Sequence, residues 1–131
     1  MKSKQVLDVY QMQHLQEMGL DTNNASMCWL KTPNGRDLTF NDEWINLDES
    51  ILDPVPAYTL QDVLDALPTS IRHNDCIYYL GMAKRGIAYE LYSEHGMVQA
   101  IQFGRRTLID AAYEMLCWII EQGYVETNKN E

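Results

Sequence analysis

The sequence predicts an α+β domain with antiparallel strands, and three observations predict it. The first is a long helix-periodic run, Thr107 to Gly123, that opens on a cap residue and closes on glycine. The second is a set of short β-type segments between Met27 and Phe103, joined by connections too short for a parallel crossover. The third is the punctuation between them: Gly19, Pro54, Pro56 and Pro68 stop or forbid helices where the pattern changes.

Taken in order, residues 5–18 place Val6, Val9, Tyr10, Leu15 and Met18 on a weakly amphipathic helix that ends at Gly19. Asp21 to Ser26 is rich in turn formers and reads as a loop. Met27 to Thr32 reads as a strand, Asn34-Gly35 as a hairpin signal, and Arg36 to Phe40 as the partner strand. Asn41 to Pro56 is acidic and irregular, with Asp42, Glu43, Asp48, Glu49 and Asp53; its Trp44, Ile45, Ile51 and Leu52 are expected against the core. Thr59 caps a short helix, Leu60 to Leu67, stopped by Pro68. Its start, Thr59-Leu60-Gln61-Asp62, matches Thr107-Leu108-Ile109-Asp110 in capping chemistry rather than as a repeat.

Cys76 to Ala83 is a strand with apolar side chains on both faces: Ile77, Tyr79 and Ala83 on one, Tyr78, Leu80 and Met82 on the other. Lys84-Arg85-Gly86 turns the chain into a second strand, Ile87 to Tyr92, with Glu90 opposite Ile87, Tyr89 and Leu91. Glu94-His95-Gly96 turns it again into Met97 to Phe103, with Met97, Ile101 and Phe103 on one face by simple alternation. The result is a hairpin plus a three-stranded antiparallel meander. The long C-terminal helix packs across it, with shorter N-terminal and central helices. In that helix Asp110, Glu114, Cys117 and Glu121 form one stripe, while Leu116 and Trp118 are expected in the core. The whole chain, 1–131, reads as one domain whose last residues, 126–131, fray.

Composition narrows the function classes. An apolar fraction of 46% suits a globular core. A net charge of −9 argues against broad binding to nucleic acid or anionic membrane, since both are polyanions. No segment approaches the roughly 18 apolar residues of a membrane span. The N-terminus has lysines but no apolar block behind them, which does not match a secretory signal. Cys28, Cys76 and Cys117 are odd in number and far apart, and read as buried, reduced thiols. These features together place the protein in the cytoplasm.

The runs LQEMGLDTNNASMCW, PAYTLQDVLDALP and LIDAAYEMLCWIIEQGYV carry a likeness of pattern that extends over most of the chain. They resemble small proteins carried by prophages and mobile elements of gut Bacteroidales. That group has no assigned activity, cofactor or catalytic residue, so the resemblance implies a phage-derived accessory protein and transfers no site residues.

Constellations with chemical potential are few. His73 and Cys76 have an HxxC spacing, but a closed zinc site needs four ligands, and the other histidines and cysteines fall in unrelated segments. Cys117 sits between Leu116 and Trp118 with nothing adjacent to lower its pKa. The pairs Asp42/Glu43, Asp48/Glu49, Asp62/Asp65 and Asp110/Glu114 fall in a loop or on helix faces, where solvated charge is the ordinary role. No phosphate-binding glycine loop, GxSxG or HExxH occurs, and no cofactor is implied. The leading expectation is therefore a non-enzymatic protein acting through contacts with another protein. One alternative is an acidic nucleic-acid mimic built on Asp42 to Asp53 that occupies a host DNA-binding protein. Another is an enzyme whose site residues are scattered.

Two surface expectations follow. A helix apolar on most sides, with a strand apolar on both faces, needs cover that a homodimer can supply. Separately, Lys84, Arg85, Arg105 and Arg106 are four of only ten cationic residues. The meander returns both pairs to one edge, beside Thr107 at the start of the long helix. That corner is the candidate anion- or partner-binding site.

Overall fold

The computed structural model describes residues 4–40 and 53–127. The fold is α+β, with two antiparallel sheets and, among the described residues, three helices. The acidic stretch from Asp42 to Leu52 and the last four residues of the expected tail lie outside the described residues.

The first sheet is built on the expected hairpin. Strands β1 (Met27–Thr32) and β2 (Gly35–Phe40) pair from Thr32 opposite Gly35 to Met27 opposite Phe40. The two-residue loop is Pro33-Asn34, and Gly35 takes a φ of +122°, a region open to glycine. On the far side of β1 lies β3 (Val55–Ala57), with Cys28 opposite Pro56. Val55 and Pro56 fall at the end of the stretch expected to be irregular, where Pro54 and Pro56 forbid a helix. A strand forms there because β3 is the edge of the sheet, where a missing N–H disrupts no further ladder.

The second sheet has four strands rather than three, β4 (Ser70–His73), β5 (Cys76–Met82), β6 (Gly86–Ser93) and β7 (Gly96–Gly104), in that order. The added strand closes through Asn74-Asp75, both at positive φ (51° and 67°), the conformation a tight I′-type hairpin requires. The HxxC spacing is thus a hairpin, with His73 paired opposite Cys76. Cys76 is exposed there, at the end of the sheet, which corrects its expected burial.

A bulge reorients β7. Tyr89 faces Ile101 and Glu90 faces Gln99, so Ala100 is an extra residue between two registers. Val98, opposite Leu91, therefore shares the inner face with Ile101 and Phe103. Met97 lies on the outer face opposite Tyr92, and not with Ile101 and Phe103 as simple alternation predicts.

Helix α1 (Val9–Glu17) starts later than expected because Val6 bridges to Thr59; Asp8 and Gln11 then form a capping box. Helix α2 (Leu60–Ala66) starts on Thr59 as expected. Helix α3 (Leu108–Glu121) starts on Thr107 and buries nine side chains, Leu116 and Ile119 completely. Its cover comes from this chain: α2, β6 and β7 pack on it, and α1 joins it where His14 Nδ1 meets the Tyr113 hydroxyl at 2.8 Å. Cys117 is buried and leaves the expected polar stripe, while Trp118 is only partly buried. The Trp118 ring rests against His73 and Tyr124, with centroids 5.7 and 5.9 Å away, at the margin of the sheet. One apolar cluster runs from Leu7 and Leu15 through Tyr58 and Tyr89 to Ile119. No helix is long and apolar enough to cross a membrane among the described residues.

Candidate functional site: a basic corner

The β5–β6 turn is tight, with the Ala83 N–H donating to the Gly86 carbonyl at 2.8 Å. Gly86 pairs with Gly104 at the other end of β7, and the Arg105 N–H donates to the Arg85 carbonyl at 3.0 Å. Segments 84–85 and 105–106 are therefore adjacent, as the meander requires. A concavity of about 590 Å³ opens there, lined by Lys84, Arg85, Arg106 and Thr107 together with Lys4, Leu60, Leu108 and Ile109.

Arg105 belongs to the opposite side of this edge. Consecutive residues in extended chain point in opposite directions. Its guanidinium lies 5.9 Å from the Phe103 ring centroid, donates to the Gly104 carbonyl at 2.6 Å and stands 3.5 Å from Glu114 Oε1. The expected group of four cations is thus three in the concavity and one paired on the flank of α3. Lys84, Arg85 and Arg106 are exposed, and none has a carboxylate partner among the described residues.

Lys4 enters the corner from the far end of the chain. Its ammonium donates to Asp110 Oδ1 at 2.8 Å and to Gln11 Oε1 at 2.7 Å. Asp110 also accepts from Gln11 Nε2 at 3.0 Å and from the Thr107 hydroxyl at 2.8 Å. Burial pushes the Asp110 carboxyl up, but the hydrogen bonds from Lys4, Gln11 and Thr107 and the Lys4 charge outweigh it, so it stays below its ordinary value. The negative charge in the first turn of α3 is thereby compensated, and the three remaining cations are not. No local signal marks Lys4, because its partner lies 106 residues away.

The other candidates resolve into structural roles. His73 Nδ1 meets the Tyr124 hydroxyl at 2.8 Å in an aromatic corner with Trp118. Among the described residues no three His, Cys, Asp or Glu side chains stand together as a metal site. Burial pushes the Cys117 thiol up to about 11, so at neutral pH it is not a thiolate. Asp62 is consumed by Ser26 and Thr59, whose hydrogen bonds outweigh its burial and hold its carboxyl below the ordinary value.

Compared with known proteins, the chain matches no family model, no curated protein and no solved structure.

Proposed function

We propose that this is a non-enzymatic cytoplasmic protein that works by contact with another protein, an accessory role of the kind the phage-element resemblance implies. The basic corner receives an acidic segment of that partner. One observation supports this reading above the others: three cations without carboxylate partners among the described residues line one concavity on a chain of net charge −9. Lys4, Arg36 and Arg105 are each matched to a carboxylate; Lys31 and Arg72 have no such partner among the described residues, but Lys84, Arg85 and Arg106 gather around one concavity, and that gathering favours an external anion. Backbone donors at the start of α3 add to the same field.

The test is a fluorescence titration with a labelled poly-glutamate peptide across a salt series. Binding is expected at low salt, to weaken as salt rises, and to fall at least about ten-fold in K84Q/R85Q/R106Q. Equal binding by the parent and the triple variant removes the corner from the account.

A further inference from the structure

The basic corner is only partly cationic. Of the eight residues lining its concavity of about 590 Å³, three are apolar: Leu60, Leu108 and Ile109. Leu60 and Leu108 are half-buried and pack against the core cluster, and Ile109 is buried. The two leucines hold equivalent places. Leu60 is the first residue of α2 and Leu108 the first of α3, each directly after its threonine cap. Neither side chain is needed for capping, because the threonine hydroxyls accept the Asp62 and Asp110 N–H groups at 3.2 and 3.3 Å. Packing of α2 on α3 brings both helix starts to the same concavity.

The cations reach that space from other segments. Lys84 and Arg85 come from the β5–β6 turn, and Arg106 is the residue before the α3 cap. All three are exposed and lack a carboxylate partner among the described residues, while Lys4 is held by Asp110. A ligand made only of carboxylates would satisfy these cations and leave the two leucines in water. The concavity is large enough to seat a bulky side chain together with its backbone. Charge steers and orients such a ligand, and apolar contact inside the hollow holds it.

Resting on the reading of the corner as an anion-accepting site, we infer that its ligand is an amphipathic acidic peptide segment. A large apolar side chain of that segment seats against Leu60 and Leu108, and carboxylates flanking it meet Lys84, Arg85 and Arg106. Charge complementarity selects an acidic ligand on a chain whose net charge is −9. The paired leucines then select among acidic ligands, because a segment without an apolar side chain gains nothing from them.

Two labelled pentapeptides of equal charge test it in a fluorescence titration: four glutamates around a central phenylalanine, and four around a central serine. The phenylalanine peptide binds the parent about ten-fold tighter, as expected for a partly buried aromatic ring. Both affinities fall as salt rises while their ratio persists, because salt screens charges and not apolar contact. Leu60→Ala and Leu108→Ala each reduce that ratio at least about three-fold. The serine peptide binds these variants as it binds the parent, which also shows that they remain folded. Equal affinity of the two peptides for the parent overturns the inference and leaves the anion-accepting corner standing. A preference that neither leucine substitution reduces also overturns it, because the side chain then seats elsewhere. If neither peptide binds at low salt, the corner itself fails and the inference falls with it. Self-association of the parent that the serine peptide competes away gives the corner to a second copy, and likewise overturns the inference.

Discussion

Helices α2 and α3 begin with the same chemistry and put it to different uses. At both, a threonine caps the helix and an aspartate sits three residues on. At Thr59 the box closes on itself: the Asp62 N–H donates to the Thr59 hydroxyl at 3.2 Å, and the Thr59 N–H returns a bond to Asp62 at 2.9 Å. The same carboxylate also holds Ser26, Oδ2 accepting its N–H at 3.0 Å and Oδ1 its hydroxyl at 2.6 Å, which ties the loop before β1 to α2. At Thr107 the return bond is replaced by Lys4 and Gln11, which draw Asp110 toward the N-terminus. The first cap is spent on fold. The second neutralises its own acid and leaves a cationic surface beside a helix start.

That contrast orders the expected effects of mutation. Asp62→Ala removes the return bond and the Ser26 tether together and costs about 2 kcal/mol, measured by urea unfolding. Thr59→Ala and Thr107→Ala each cost about 1 kcal/mol, the usual cost of losing a cap side chain. A loss at Thr107 well above that at Thr59 would show that the second cap is not the looser of the two. Lys4→Gln costs only about 0.5 kcal/mol, as expected for a part-exposed pair. It also returns the Asp110 charge to the corner and weakens binding of the acidic peptide, while Asp110→Asn strengthens that binding.

Acid sharpens the same comparison. Both aspartates have folded-state values lowered from 3.8, so their contribution is present above that value and is lost as pH falls through the lower folded value. Acid unfolding of Asp62→Asn and Asp110→Asn is therefore less steep below about pH 5 than that of the parent. Equal steepness in all three would show that neither carboxylate is held by its hydrogen bonds.

The caps illustrate what the sequence makes legible. Thr59, Thr107, Gly19 and Gly123 act locally, over three or four residues, and the helix ends they mark are where the pattern places them. The β5–β6 and β6–β7 turns are equally local, and they bring Lys84-Arg85 beside Arg105-Arg106. Three things act at longer range or against local preference. Pro56 forms a strand because of its position at a sheet edge, which no window of sequence reveals. The bulge at Ala100 flips Met97 outward, because alternation assumes a regular ladder. Arg105 leaves the corner and Lys4 enters it because Glu114 and Asp110 are placed by packing of α3. The β4–β5 hairpin is local as well: Asn74-Asp75 is turn chemistry, and it lies inside the His73–Cys76 spacing.

The central claim is that Lys84, Arg85 and Arg106, at the start of α3, act as one anion-accepting corner. Its most direct test is amide chemical-shift mapping of the isotope-labelled chain titrated with the poly-glutamate peptide. Saturable shifts are expected, confined to Lys84, Arg85, Arg106, Thr107, Leu108 and Ile109 and vanishing at high salt, with Glu114 and the Trp118–Tyr124 corner unmoved. Shifts centred elsewhere, or none at low salt, would contradict it.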